Sequence, residues 1–395
     1  MRPFDLPLGF KYATTYAGIR KQEKDDLSLI VSGVPAAAAA VFTTNKVQAA
    51  PVKLARAYMR ASKGVCGALL INAGNANCAT KSGDRVALNT TKQLAKLLKL
   101  QATQVLPAST GVIGVELEEN LILDKLQTLV DNLNDTGLPD VARAILTTDL
   151  QPKGASREVT LRRGSVRIAG ITKGSGMIHP KMATTLGFVM TDALVPQTLL
   201  RRMLVRATEL SYNRISVDGD TSTNDTLIVM ANGASGVRPD PKEMSTFEEA
   251  LTETLQSLAR QIVRDGEGAR KLISVEVHGA ITDSSAAAIA RSISISPLVK
   301  TAIAGSDPNW GRILSAAGNS GVNFDPSLVE ITLQDVKVCR NGLAAPFDEL
   351  EMKQRLDDTD ISVVFRIVGK GKGSATFWTC DLTEDYIHIN ANYRT

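Results

Sequence analysis

"KGSGMIHPKMATTLGF", Lys173 to Phe188, is the stretch on which the reading of this 395-residue chain turns. Gly174, Ser175 and Gly176 permit unusual backbone angles, Pro180 restricts its neighbours, and two threonines then open the apolar run "TTLGFVM". A Gly/Pro loop entering a strand accounts for this pattern by itself. A second reading is chemical. In a tight turn, Oγ of Thr184 attacks the carbonyl of Ala183, the acyl group shifts from nitrogen to oxygen, and water hydrolyses the ester. The new chain begins at Thr184, whose α-amino group, with a reference pKa of about 7.7 to 8.0, can act as base for its own hydroxyl.

Composition narrows the setting. With 44% hydrophobic and 22% charged residues, the chain has the make-up of a folded protein with one extended core or two lobes. A net charge of +4, no long basic run and only 4% aromatic residues argue against nucleic acid as partner. Cys66, Cys78, Cys339 and Cys380 are widely spaced, so neither a disulfide framework nor a zinc site is expected. Reduced thiols point to the cytoplasm. His179, His278 and His388 are scattered, giving no support for a metal site. The first residues lack the apolar core of a signal peptide, and no apolar run reaches the roughly 18 residues of a membrane span.

Strand-like and helix-like segments occur in both halves. "CGALLIN" reads as a buried strand, and "DRVALNTTKQLAKLLKL" as a helix with Val86, Leu94, Leu97 and Leu98 on one face. "VPAAAAAVF" (Val34 to Phe42) reads as a buried strand or packed turn. "ELEENLILDKLQTLVDNL", "LPDVARAILTT" and "PQTLLRRMLVRATELS" read as further helices. "STFEEALTETLQSLARQIVRDGEG" carries a Ser245-x-x-Glu248 capping box at its start and glycines at its end. "LISVEVHG", "VEITLQDVKV", "ISVVFRIV" and "SATFWTC" read as strands, with "VGKGKGS" as a hairpin turn between the last two. The phosphate-loop spacing is absent there.

The junction resembles the autoproteolytic junction of the ornithine acetyltransferases, also called glutamate N-acetyltransferases, of the cyclic arginine pathway. "LPLGFKYATTYAGIRK", "LLINAGNANCAT", "PASTGVIG", "TTDLQPK", "SVDGDTSTNDT", "DGEGARKLISVEV", "SDPNWGRI" and "INANYRT" resemble the same family, in order, from residue 6 to the end. The resemblance implies an α/β fold, an α/β/β/α sandwich of the DmpA/ArgJ type similar to N-terminal-nucleophile hydrolases. It also implies self-cleavage into an α chain of residues 1–183 and a β chain of residues 184–395 that together form one catalytic unit, assembled as an α2β2 heterotetramer.

Carried over residue by residue, the resemblance makes Ala183-Thr184 the cleavage site and Thr184 the nucleophile. Thr185 stands where methionine is common in the family. Thr110 and Gly111 take the oxyanion positions, which require donors aimed at the tetrahedral oxygen. Thr148, Lys173, Thr184, Glu267, Asn390 and Thr395 take substrate-contacting positions, with Thr147 as the neighbour one place from Thr148. Lys173 suits a substrate carboxylate, Glu267 an ornithine amino group or a proton transfer, and the C-terminus is expected to fold into the site. "DGDTSTNDT" (Asp218 to Thr226) and "DPNWGR" (Asp307 to Arg312) are expected to scaffold it.

The implied reaction is ping-pong acetyl transfer from N2-acetylornithine to glutamate, with no cofactor and no metal. Acetyl-CoA is left open as a second donor. Two alternatives remain open: an aminopeptidase or amidase in which water takes the acyl group, and an uncleaved amino-acid-binding relative.

Overall fold

The computed structural model describes residues 5–179 and 185–392. The chain divides into two compact units, the first formed by the residues up to 213 together with 220–262, the second by residues 214–219 and 263–392. Ala183, Thr184 and Thr395 lie outside the described residues.

The first unit is built on one sheet containing β1 (Phe10–Thr15), β2 (Leu27–Phe42), β3 (Val65–Asn75), β4 (Val105–Val112), β5 (Lys153–Leu161), β6 (Gly164–Lys173), β7 (Leu186–Thr191) and, after the two-residue β8 (Ile215–Ser216) of the second unit, β9 (Thr226–Ala231). The spatial order is β4-β3-β2-β9-β7-β6-β5, with β1 also paired to β2. β7 and β9 are buried along their whole lengths, as a pair at the centre of a sheet covered on both faces must be. Around this sheet run α1 (Ala50–Ala61), α2 (Gly83–Leu97), α3 (Glu119–Leu123), α4 (Leu126–Asp131), α5 (Leu138–Ala144), α6 (Gln197–Glu209) and α7 (Met244–Arg264). Leu186, Phe188 and Met190 of β7 join Ile228 and Met230 of β9, Tyr58 of α1 and Val141 of α5 in one apolar cluster.

The second unit holds β10 (Leu272–Ala280), β11 (Val329–Leu333), β12 (Val336–Arg340), β13 (Leu343–Ala344), β14 (Asp360–Ile367) and β15 (Gly373–Cys380) in the order β13-β12-β11-β14-β10-β15-β8. Its helices are α8 (Asp283–Ser294), α9 (Pro297–Ala304), α10 (Trp310–Gly318), α11 (Glu349–Leu356) and α12 (Glu384–Asn392). Ile289 and Ile293 of α8, Met352 of α11 and Val275, Ile331 and Phe365 of the sheet share its core. The chain is thus of the α/β class with two sheets. All four cysteines are buried and free. Among the described residues no single helix is long and apolar enough to cross a membrane.

The alanine-rich run is a strand, one of the two forms expected of it, and several other expectations are corrected in detail. The alanine-rich run is the second half of β2, which pairs with β9 after a register shift between Val31 and Ala36, where Pro35 sits at the irregularity that tolerates it. The helix read through "ELEENLILDKLQTLVDNL" is broken into α3 and α4, which lets Ile122, Leu126 and Leu129 all reach one apolar cluster. The cap before α7 is Asp240 with Glu243: Asp240 Oδ1 accepts the Glu243 N–H and Glu243 Oε2 accepts the Asp240 N–H at 3.0 Å. Ser245 lies inside the helix, and Glu248 is taken by Arg206 in a bidentate pair.

"VEITLQDVKV" is a hairpin of β11 and β12, turning through Gln334 and Asp335, both with positive φ. The Gln334 amide donates to the carbonyls of Arg355 and Asp360 and accepts the Ser362 N–H, which holds a turn that has no glycine. "VGKGKGS" is not a hairpin turn, because β10 lies between β14 and β15. Its glycines permit a close crossing: a Cβ on Gly371 would stand 2.3 Å from the Gly279 carbonyl oxygen.

Candidate active site

β6 ends at Lys173 and β7 starts at Leu186, so the junction leaves one strand of the sheet and enters its antiparallel neighbour, with Lys173 paired to Leu186. The predicted α and β chains therefore share a sheet. A cut between them leaves the β6–β7 ladder intact.

Lys173 is 4% exposed and organises the polar cluster at this end of the sheet. Its Nζ donates to Thr147 Oγ1 at 2.6 Å and to Thr110 Oγ1 at 3.4 Å, and lies 3.7 Å from Asp149 Oδ2. A hydroxyl that accepts from an ammonium keeps its own proton for another acceptor, so Thr110 is set to donate outward. Thr110 and Gly111 lie in the last residues of β4, just before Val112. A Cβ on Gly111 would lie 2.2 Å from the Gly74 carbonyl carbon, and φ is +131°, so only glycine fits beside the facing glycine of β3.

Of the two adjacent threonines after α5, the structure brings Thr147 to Lys173. Thr148 is half-buried in the same loop, and its hydroxyl makes no hydrogen bond among the described residues.

Two buried carboxyls grip the ends of the junction, and neither was singled out from sequence. Asp149 accepts the Gly174 N–H at 2.6 Å and Lys153 Nζ at 2.6 Å on Oδ1, and the Thr147 N–H at 3.1 Å on Oδ2. Burial alone would push its pKa up, but Lys173, Lys153 and these donors more than offset that and hold it well below the usual carboxylate range. Asp225 Oδ1 accepts the Thr185 N–H at 2.8 Å. Burial pushes this carboxyl well above the ordinary value, and the Thr185 N–H, Thr43 and Lys173 oppose the rise without cancelling it. The Asp149–Lys153 pair sits at i,i+4 inside "TTDLQPK", a spacing that was available in the sequence.

The "SVDGDTSTNDT" stretch scaffolds this region as expected. Asn224 Nδ2 donates to the carbonyls of Ala76 at 2.6 Å and Ser109 at 2.9 Å, fixing β4 one residue before Thr110. Arg20 does the same from a distance, donating to the carbonyls of Ala73, Ala144 and Leu146. In the second unit, Asn309 of "DPNWGR" caps α10 by accepting the Arg312 N–H at 3.1 Å.

Glu267 and Asn390, predicted for one site, do meet. Both belong to the second unit, where Asn390 Nδ2 donates to Glu267 Oε2 at 2.9 Å. Helix α12, which carries Asn390, is anchored by Arg270 donating to Glu384 at 2.7 Å and Asp385 at 2.8 Å. Gly268 lets it approach, because a Cβ there would meet the Tyr386 nitrogen at 2.4 Å.

In the first unit a fixed ammonium, a polarised hydroxyl and a glycine-only strand end surround the start of β7. This is an α/β protein with a buried ammonium–hydroxyl cluster at the entry to β7.

The chain belongs to the ArgJ family, whose sequence profile matches residues 11–395. It is 44% identical over 391 residues to the arginine biosynthesis bifunctional protein ArgJ of Nitratidesulfovibrio vulgaris, covering 98% of this chain and 99% of that one. The protein of the same name from Bacillus cereus is 44% identical over 394 residues, covering 98% and 96%. The crystal structure of the arginine biosynthesis bifunctional protein from Bacillus halodurans matches with a TM-score of 0.51 and 41% identity, over 52% of this chain and 98% of that chain.

Proposed function

We propose that this protein transfers an acetyl group from N2-acetylornithine to glutamate, in arginine biosynthesis, through an acetyl-threonine intermediate on Thr184. The observation that carries the reading is Lys173, buried at the junction with its ammonium on Thr110 and Thr147, in a chain of this family. The α-amino group of Thr184 takes the proton from Oγ, which attacks the acetyl carbonyl. The Thr110 hydroxyl and the Gly111 N–H receive the developing oxyanion. The leaving ornithine amine takes back the proton. Glutamate then enters, its amine attacks the acetyl ester, and N-acetylglutamate leaves with Thr184 restored. The scheme needs no cofactor and no metal.

Lys173 faces the substrate carboxylate and orients Thr110, with Thr147 or Thr148 beside it. Glu267, Asn390 and Thr395 are assigned to the ornithine amino end; the Glu267–Asn390 hydrogen bond supports treating those two as a pair. Acetyl-CoA is the second donor in this reading, since the relatives are named bifunctional. Self-cleavage between Ala183 and Thr184 is supported by the solved relative, whose chain is matched almost entirely by about half of this one. Assembly as α2β2 and residence in the cytoplasm complete the proposal.

Intact mass and N-terminal sequencing of the purified protein test the first step. Two fragments, one beginning Thr-Thr-Leu-Gly, are expected, and the preparation should then form N-acetylglutamate from N2-acetylornithine and glutamate. A single 42.2 kDa chain that stays whole on prolonged incubation sinks the mechanism.

A further inference from the structure

A cavity lies outside the Thr110–Lys173 cluster and shares none of its residues. It measures about 580 Å³ and is bounded by the end of β2, the helix α1 and the start of α6, all within the first unit. That volume is in the range of small-molecule sites, roughly 300 to 1,000 Å³. Four cations line it: Arg56, Arg60, Lys63 and Arg201. Arg56 lies over the Phe42 ring and donates to the Thr43 carbonyl. Arg60, Lys63 and Arg201 are exposed and make no ion pair among the described residues. No acidic residue lines the cavity, and the stretches that build it hold no aspartate or glutamate between Asp26 and Asp84 or between Asp192 and Glu209.

The floor adds neutral donors. The Ala38 N–H points away from β9, donating to the Gly64 carbonyl, whereas the Thr43 N–H points toward β9, donating to the Asp225 carbonyl. By the alternation of an antiparallel ladder, Ala40 and Phe42 also turn their N–H and C=O groups away from β9. β3 begins only at Val65, which pairs with Ala37, so it does not cover that edge. Further along, the Gln197 amide donates to the Ala38 carbonyl at 3.3 Å and ends the free edge. Two residues of open edge are too few for an added peptide strand. They are enough to hydrogen-bond a small anion.

We propose that this cavity binds the diphosphate of a phosphorylated small molecule, with Arg60, Lys63 and Arg201 on its oxygens and the Ala40 N–H as a further donor. Guanidinium groups match phosphate oxygens in paired hydrogen bonds, and Phe42 with the alanine floor offers an apolar surface to the organic part. The site is also close to the junction. Phe42 pairs with Thr226, and Thr226 with Leu186, so two strand spacings, about 10 Å, separate the cavity floor from the first residue of β7.

Calorimetric titration of the purified full-length protein with inorganic pyrophosphate, ADP and coenzyme A tests this, alongside an Arg60→Ala/Arg201→Ala double variant. Both side chains are exposed, so the variant is expected to fold, keep its thermal midpoint and transfer acetyl from N2-acetylornithine normally. Saturable pyrophosphate binding at one site per chain, weakened at least about tenfold in the variant and by added salt, is the expected result. Tighter binding of coenzyme A than of ADP assigns the diphosphate to a thioester carrier, and the reverse assigns it to a nucleotide. Absence of saturable binding for all three at millimolar concentration, or equal binding by the folded variant, overturns the proposal. It does not rest on the acetyl-transfer reading, which is scored separately by the transfer assay on the same samples.

Discussion

The two ends of the junction are held by the same chemical device, a buried carboxyl, whose pKa is shifted in opposite directions at the two ends. At the upstream end, Asp149 is buried between Lys153 and Lys173 and is held ionised while it accepts the Gly174 N–H. At the downstream end, Asp225 accepts the Thr185 N–H, but burial dominates and favours its protonated form. The difference lies in the neighbours. Two ammonium groups stand on Asp149, whereas Asp225 has hydroxyl and amide partners and feels Lys173 only as a weaker influence. An ionised Asp149 stands 3.7 Å from Lys173 Nζ, which is aimed at Thr110. Asp225, whose pKa burial raises, holds the first residues of the strand that follows the junction.

The largest expected effect lies between the anchors. Thr184→Ala should leave an uncut chain and lower acetyl transfer by at least about 10⁴-fold, read by denaturing gel and by N-acetylglutamate formation. Normal cleavage in this variant would move the nucleophile to Thr185 and break the assignment. Lys173→Met keeps Asp149 paired with Lys153 but removes the ammonium from Thr110, so kcat should fall about 10²- to 10³-fold. Thr110→Val should cost a similar factor. A Lys173→Met loss much smaller than the Thr110→Val loss would show that the hydroxyl works without the ammonium.

The anchors can then be separated by pH. Asp225 has its folded pKa raised above the unfolded value of about 3.9, so the stability it lends is complete below that pH and is lost as pH rises through the folded value. Asp225→Asn keeps an acceptor for Thr185 and cannot titrate. The melting temperature of the wild type relative to this variant should therefore decline with rising pH. Asp149 has the opposite sign: its contribution is present above about pH 4 and is lost only in strong acid, below its depressed folded value. Relative to Asp149→Asn, the wild type should show a flat difference from pH 5 upward. A parallel decline in both comparisons would erase the contrast.

The smallest test concerns the adjacent threonines. Thr147→Ala removes a hydroxyl from Lys173 and should cost about 1 kcal/mol of stability, roughly fivefold in an equilibrium, with a comparable loss of rate. Thr148→Ala should cost less in stability. If it raises KM more than Thr147→Ala does, Thr148 is the substrate contact.

Much of this site was legible in the chain. The Gly-Ser-Gly loop before paired threonines, the Ser-Thr-Gly run and the Glu267 loop were all visible as strings, although Ser-Thr-Gly lies within strand β4 and is not a turn. Scaffolding by "SVDGDTSTNDT" was legible as a role, though not the assignment of Asn224 to β4 and Asp225 to β7. The hairpin at Gln334-Asp335 was missed because a glutamine side chain from within the turn substitutes for the usual glycine. The capping box was placed one turn late because Ser245-x-x-Glu248 and Asp240-x-x-Glu243 both fit the pattern, and only the competing Arg206 pair separates them.

The sequence by itself determined the family and the α/β alternation, and it singled out Thr184 as the candidate nucleophile, since local backbone freedom and side-chain type are properties of contiguous residues. Tertiary structure alone decided which charges are ionised and which carbonyls are reached. Asp149 and Asp225 are the same residue type, and their pKa values shift in opposite directions because Lys173 and Lys153 both stand on the first, whereas burial dominates at the second. Burial and the distance to a neighbouring charge set a pKa, and neither is written in the order of the residues.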